Sequence, residues 1–148
     1  MHKEFRPGRP AKGRVLLADD DLELRHLLSS ELRQAGYAVT EVGSGTDLLD
    51  RLASDLIESA QPQFDLLVSD VRMPGWSGLE VLGGLRRAGL GLPVVLITAF
   101  GDPKTHRTAH KLGAELLDKP FDLDDFRGAV AAELSQARRA ADGLDPSG

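Results

Sequence analysis

Val15-Leu16-Leu17-Ala18-Asp19-Asp20-Asp21 is the stretch of sequence that decides the fold. Four apolar residues followed by three acids are typical of a buried strand that ends at the protein surface. A second, largely apolar run covers residues 64–69 and ends in the same way, at Asp70. If the two strands are parallel neighbours, their carboxylates meet at one edge of the sheet. The sequence therefore predicts a parallel sheet with an acidic cluster at that edge.

Outward from this stretch, strand-like and helix-like segments alternate along the chain. We predict strands at about 14–18, 37–42, 64–69, 94–98 and 115–118, and helices at about 22–35, 46–60, 79–88, 103–112 and 123–139. Apolar residues at core spacing in three of these helices are Leu24, Leu27, Leu28, Leu32, Leu48, Leu49, Leu52, Leu56, Leu123, Phe126, Val130 and Leu134. Five such repeats predict an α/β, doubly wound fold, a five-stranded parallel sheet with helices on both faces.

The composition is typical of one soluble globular domain. The chain has 148 residues, of which 41% are hydrophobic and 28% are charged, enough for one sizeable core. It has no cysteine, which excludes disulfides and thiolate metal sites. The sequence has neither a run of bilayer-spanning length nor a hydrophobic signal core, so we expect a cytoplasmic protein without membrane association.

The net charge of −5 hides a basic amino-terminal segment, because residues 1–14 carry five basic residues and one acid. The rest of the chain is correspondingly more acidic, which argues against nucleic-acid binding. Proline and glycine in the first residues predict a flexible basic tail over 1–12, before a folded domain over 13–138. Residues 139–148 are predicted to form a second flexible tail.

Four of the five predicted strands end beside a side chain that could bind a metal or take part in a reaction. These side chains are Asp19 and Asp20, then Asp70, Thr98 and Lys119. Gathered carboxylates repel one another unless a cation lies among them, and Mg²⁺ prefers oxygen ligands. An aspartate can attack a phosphoryl group, and a lysine and a hydroxyl can neutralise the charge that develops on it. The strand ends therefore predict a site for Mg²⁺ and phosphoryl transfer.

Four motifs, taken in order, resemble the receiver domain of bacterial two-component response regulators, of the single-domain chemotaxis-regulator kind. They are residues 15–21 above, Ser69-Asp70-Val71-Arg72-Met73-Pro74-Gly75, Ile97-Thr98-Ala99 and Asp118-Lys119-Pro120-Phe121. Each motif is weak alone, but all four in order on the predicted elements form a specific pattern. The resemblance covers about residues 13–138 and implies a flavodoxin-like fold with strand order 2-1-3-4-5.

The resemblance also implies roles for the acidic residues. Asp70 would be the phosphoacceptor, taking a phosphoryl group from a sensor histidine kinase or a phosphotransfer protein. Asp20, Asp70 and the backbone carbonyl of Arg72 would bind Mg²⁺, and Asp19 would hold it through a water.

The same resemblance implies a set of contacts to the phosphoryl group. Lys119 would form an ion pair with it, Thr98 would turn its hydroxyl towards it, and Ala99 would donate its backbone N–H. Arg72 would lie beside it. The Lys119-Pro120 peptide bond would be cis, a form whose free-energy cost is small when the second residue is proline.

The chain departs from the family pattern at two places. Leu116 stands where many receivers have an aromatic residue that works with the hydroxyl of Thr98. Activation would then repack the helix near 103–112 instead. Arg72 and Phe100 are large and would border the path of the water that removes the phosphoryl group, which suggests slow self-dephosphorylation.

Residues outside the motifs give three further expectations. Asp21 is predicted to cap the first helix. Trp76 is expected to be exposed in its glycine-rich loop, and His26, His106 and His110 are expected to be solvated.

The function implied is a stand-alone receiver that signals by phosphorylation-dependent contact with an unknown downstream protein, not an enzyme beyond catalysing its own phosphotransfer and dephosphorylation. Two alternatives stay open: an unphosphorylated receiver-like interaction module, and the receiver part of a truncated effector protein. A phosphorylation-dependent homodimer is a further open question. A phosphatase of the haloacid-dehalogenase type is disfavoured, because Arg72 stands where that chemistry needs a second aspartate.

Overall fold

The structure, a computed structural model, describes residues 12–99 and 101–141. The strands are β1 (Arg14–Ala18), β2 (Ala38–Val42), β3 (Leu66–Asp70), β4 (Val94–Thr98) and β5 (Glu115–Asp118). The helices are α1 (Leu22–Gln34), α2 (Gly45–Ser59), α3 (Gly78–Arg87), α4 (Pro103–Lys111) and α5 (Leu123–Ala141). None of the helices in this described part of the chain is both long and apolar enough to cross a bilayer.

The two predicted tails fall almost wholly outside the described residues, as does Phe100. Lys12 is described, and its N–H donates to the Gly36 carbonyl at 3.3 Å. At the other end, α5 continues to Ala141, so the first residues of the expected flexible tail over 139–148 are helical.

The five strands form one parallel sheet in the order β2-β1-β3-β4-β5, as predicted. Strand order reverses at β1, which lies between β2 and β3. In open sheets of this kind, ligands bind beyond the carboxyl ends of the strands at such a reversal. The register pairs Ala18 with Ser69, Asp70 with Ile97 and Thr98 with Asp118, so the chemically active strand ends lie side by side.

Two hydrophobic clusters cover the two faces of the sheet. On one face, Leu16 and the other strand residues that point the same way pack against α2, α3 and α4. On the other face, Leu17 and the strand residues that point the same way pack against α1 and α5, where Phe126 is fully buried. Side chains alternate between the faces along a strand, and both faces are covered. The central strands therefore read as continuous apolar runs rather than as an alternating pattern.

Some details of the predicted elements are wrong. Leu27 and Leu49 were expected in the core but are 49% and 36% exposed. In α1 the buried face passes through Leu28 and Leu32, four residues apart, and Leu27 lies beside it. The strand predicted over 64–69 runs from Leu66 to Asp70, so Asp70 is the last strand residue and pairs with β4.

Candidate functional site

Three carboxylates meet at the carboxyl edge of the sheet. Oxygens of Asp19, Asp20 and Asp70 all lie within 4.8 Å of one another. Asp19 directly follows β1 and Asp70 ends β3, and these two strands are neighbours. Asp19 and Asp70 are buried, whereas Asp20 is exposed. The predicted acidic cluster is therefore present.

The pKa of Asp19 is raised by its position in the cluster. Its pKa is raised to about 6, mainly by burial and also by the nearby charges of Asp70 and Asp20. The hydrogen bond from the Asp21 N–H to Asp19 Oδ1, at 2.8 Å, and the charge of Lys119 oppose this rise. Within the described residues, Asp19 Oδ2 is buried and has no hydrogen-bond partner. A proton or a cation would satisfy this oxygen.

Lys119 brings the opposing charge to Asp70. Its Nζ lies 3.3 Å from Asp70 Oδ2. The Arg72 N–H donates to the other carboxylate oxygen, Asp70 Oδ1, at 3.2 Å. The Lys119 N–H donates to the Thr98 carbonyl at 2.7 Å, which ties the loop after β5 to the end of β4. The Lys119-Pro120 bond is cis, as the resemblance implied.

The other residues predicted for the site lie around this pair. Thr98 is buried at the end of β4, 1% exposed, and Ala99 follows it at an exposed position. The Arg72 side chain is exposed, two residues after Asp70. All the predicted site residues thus lie at the carboxyl ends of β1, β3, β4 and β5.

Close backbone packing fixes the loop between β3 and α3. A Cβ on Gly78 would lie 2.4 Å from the Asp70 carbonyl oxygen, so glycine is needed where α3 begins. Ser77 caps α3 in a reciprocal pair with Glu80, each side chain accepting the other's backbone N–H at 3.0 and 2.9 Å. Trp76 is exposed in this loop, as expected, at 46%.

His106, expected to be solvated, is 42% exposed and also contacts an acid at the surface. Its Nε2 lies 2.9 Å from Asp118 Oδ2, so α4 is tied to the end of β5. A Cβ on Gly101 would lie 2.0 Å from Asp118 Oδ1 and 3.0 Å from Thr98 Cγ2. Only Gly101 therefore separates the contact between His106 and Asp118 from Thr98. His26 and His110 are exposed, as expected.

Sequence reasoning missed three charged residues that pack into the fold. Arg25 of α1 donates to the Asp19 carbonyl at 2.7 Å. Glu133 of α5 is 5% exposed and accepts from the Val94 N–H at 3.1 Å. Arg86 of α3 donates to the backbone carbonyls of Leu90 and Leu92, which precede β4, and of Leu112, which follows α4. Charged residues within amphipathic helices resemble solvated ones in sequence, so nothing in the pattern marked these three.

An open cavity of about 1130 Å³ lies at the opposite, amino edge of the sheet and contains none of the predicted site residues. It is lined by residues such as Arg14, Asp65 and Arg138. The chemistry is concentrated at the acidic cluster instead. There the donor set is all oxygen, the charges repel and one buried oxygen has no partner within the described residues, which fits a hard divalent cation such as Mg²⁺.

The chain belongs to the response regulator receiver domain family, whose pattern matches residues 15–131. Receiver domains of this family are the phosphoacceptor domains of two-component response regulators. They bind Mg²⁺ at an acidic cluster, and they interact with histidine kinases or other phosphodonors and with downstream targets. The strand order and helix arrangement described above are those of this flavodoxin-like fold.

Individual relatives agree with the family match. The transcriptional regulatory protein FixJ of Bradyrhizobium diazoefficiens is 34% identical over 131 residues, which are 88% of this chain and 60% of FixJ. The transcriptional regulatory protein TctD of Salmonella typhimurium is 38% identical over 125 residues, 84% of this chain and 53% of TctD. The chain thus spans only a little over half the length of these two relatives.

A solved structure gives the same result. The response regulator protein TrrA of Thermotoga maritima, in complex with Mg²⁺-BeF, superposes with a TM-score of 0.67 at 28% identity. The alignment covers 80% of this chain and 96% of that one.

Proposed function

We propose that Asp70 accepts a phosphoryl group from a sensor histidine kinase or a phosphotransfer protein, with Mg²⁺ as cofactor. The observation that carries the proposal is the position of Lys119 Nζ, 3.3 Å from Asp70 Oδ2, beside three carboxylates whose oxygens lie within 4.8 Å of one another. An aspartate with a purely structural role does not need a lysine and two further carboxylates beside it. An acid that must attack phosphorus needs a cation to hold the incoming oxygens.

In the proposed reaction, a carboxylate oxygen of Asp70 attacks the phosphorus of a phosphohistidine in line. The new P–O bond forms as the P–N bond breaks, and the electron pair stays on the imidazole nitrogen. The ammonium of Lys119, the hydroxyl of Thr98 and the N–H of Ala99 would stabilise the three outer phosphoryl oxygens. The Arg72 side chain, exposed two residues after Asp70, would lie at the mouth of the site.

Asp20, Asp70 and the backbone carbonyl of Arg72 would hold the ion, with Asp19 acting through a water. When bound, Mg²⁺ neutralises carboxylate and phosphoryl oxygens together. The buried Asp19 Oδ2, which lacks a partner among the described residues, supports this assignment.

We further propose that residues 13–138 act as the receiver unit and that phosphorylation changes its contacts with a downstream protein. The pair formed by His106 and Asp118 joins α4 to β5 next to Thr98 and offers a route for that change. The greater length of FixJ and TctD favours a second candidate, in which the unit is the receiver part of a transcriptional regulator.

The direct test is intact-mass spectrometry after incubation with acetyl phosphate and Mg²⁺. We expect the wild-type chain to gain the mass of one phosphoryl group and Asp70→Asn to gain none. Asp50→Asn, which removes an exposed carboxylate of α2, is the matched control and should gain the group as the wild type does. An adduct that persists in Asp70→Asn would refute the assignment.

Output is tested separately, with a beryllium fluoride phosphoryl mimic. Analytical ultracentrifugation with and without the mimic and Mg²⁺ distinguishes a phosphorylation-dependent homodimer from a monomer that must act through another protein. A species that sediments identically under both conditions would exclude the homodimer.

A further inference from the structure

Arg25 joins the carboxyl ends of two strands behind the acidic cluster. It lies in the first turns of α1, and its side chain is 17% exposed. Its Nη1 donates to the Asp19 carbonyl at 2.7 Å, just beyond β1. Its Nε donates to Glu41 Oε1 at 3.1 Å, in β2. One planar guanidinium therefore bridges the strand that leads into the acids and the edge strand beside it.

The backbone of Asp19 is held from two sides. Its N–H donates to the Val42 carbonyl at 3.2 Å, and its carbonyl accepts from Arg25. That carbonyl belongs to the planar peptide unit that joins Asp19 to Asp20. The orientation of this unit therefore sets the direction in which both carboxylates leave β1 towards Asp70.

The surroundings leave room for the guanidinium and compensate its charge. The carboxylate of Glu41 accepts from it at 3.1 Å and compensates its charge. A Cβ on Gly43 would lie 3.0 Å from Arg25 Nη1, so a side chain at residue 43 would crowd the guanidinium. These contacts describe a fitted position rather than a solvated surface arginine.

We infer that Arg25 is a positioning residue for the cation site, acting through the Asp19 carbonyl. This inference rests on the proposed function, in which the cation is Mg²⁺. Residues that orient metal ligands typically contribute 10- to 100-fold to metal affinity. Arg25 touches none of the carboxylate oxygens of the cluster in the described structure, so its influence passes through the backbone.

The chain offers a matched control in Arg33. This arginine also lies on α1 and also approaches Glu41, at 3.6 Å, but its other contact is the Val39 carbonyl, further from the acids. Arg33→Ala therefore removes the same charge and one contact to Glu41 without touching Asp19. Arg25→Lys keeps the charge but cannot supply two fixed donors, because its ammonium is a single point.

The experiment is a calorimetric Mg²⁺ titration of the wild type and the three variants, with urea unfolding of the metal-free proteins alongside. We expect the Kd for Mg²⁺ to rise about 10- to 100-fold in Arg25→Ala and less in Arg25→Lys. It should stay within about twofold in Arg33→Ala. The unfolding curves separate this effect from loss of the fold, and Arg25→Lys remains informative if Arg25→Ala does not fold.

The outcomes distinguish this inference from the proposed function. If the wild type binds Mg²⁺ and Arg25→Ala binds it equally well, the role of Arg25 is overturned and the proposed function stands. Equal weakening in Arg25→Ala and Arg33→Ala would overturn it too, since the effect would then be general. If the wild type binds no Mg²⁺, both the cation site and the role of Arg25 are overturned.

Discussion

Glu133 makes the stability of the fold depend on pH in an unusual direction. It is buried on α5, where its carboxylate oxygen Oε1 accepts from the Val94 N–H at 3.1 Å. Its pKa is raised to about 7 from the ordinary value of 4.5, and burial is the main cause. The hydrogen bond from Val94 opposes the rise, the charge of Glu115 adds to it, and the charge of Arg86 opposes it. The folded protein therefore holds this proton where an unfolded chain has lost it.

The sign and size of the effect follow from this difference in pKa. Between 4.5 and about 7 the folded state binds one more proton than the unfolded state, so the free energy of unfolding falls as the pH rises through this interval. At about 1.36 kcal/mol per pH unit, the whole interval corresponds to about 3 kcal/mol. From about pH 5 to about pH 8, about 2–3 kcal/mol of it is lost.

Glu133→Gln imitates the protonated side chain but cannot titrate. We expect the variant to match the wild type near pH 5 and to become more stable than it by about 2–3 kcal/mol near pH 8. The assay is urea unfolding followed by circular dichroism at several pH values. Other groups titrate equally in both proteins, so the difference between them isolates Glu133.

Glu58→Gln is the matched control, because Glu58 is exposed on α2 and the chemical change is the same. The difference in free energy of unfolding between Glu58→Gln and the wild type should be the same at each of these pH values. If the difference in free energy of unfolding between Glu133→Gln and the wild type is constant from pH 5 to pH 8, Glu133 is not the source of the pH dependence.

Two further predictions concern packing, and urea unfolding measures both. Gly45→Ala should lower the free energy of unfolding by about 1–3 kcal/mol, because its Cβ would lie 1.8 Å from the Trp76 carbonyl oxygen. Gly84→Ala, with nothing within 4 Å, should instead raise it by about 0.5–1 kcal/mol, and the same sign for both would contradict the packing described. Phe126→Ala should cost about 3–5 kcal/mol, since Phe126 is fully buried. Ile57→Ala, 84% exposed, should change stability by less than about 0.5 kcal/mol, and a comparable loss at both positions would be evidence against the core assignment.

Much of the fold could be predicted from the sequence because its signals are local. A strand covered on both faces gives a continuous apolar run, and a helix over such a sheet gives apolar residues three and four apart. The order of these segments leaves few topologies open. The acids after β1, Asp70 and Lys119 could be placed together for the same reason, since parallel strands bring their carboxyl ends to one edge.

Errors arose where burial depends on which face of an element meets the sheet. Leu27 and Leu49 have the right residue type and nearly the right spacing, yet they lie at the margin of the packed face and stay exposed. Asp70 belongs to β3 because pairing with Ile97 of β4 extends the strand to it. That pairing is a property of two strands together.

By itself, the sequence determined the α/β alternation, the sheet edge that carries the site and the residue types gathered there. Only the tertiary structure decided how charged helix residues are used: Arg25 against the Asp19 carbonyl, His106 against Asp118 and Glu133 against the Val94 N–H. The last pair is 39 residues apart in the chain. Such contacts depend on how each helix is rotated and seated on the sheet, and the packing of the whole core determines that seating.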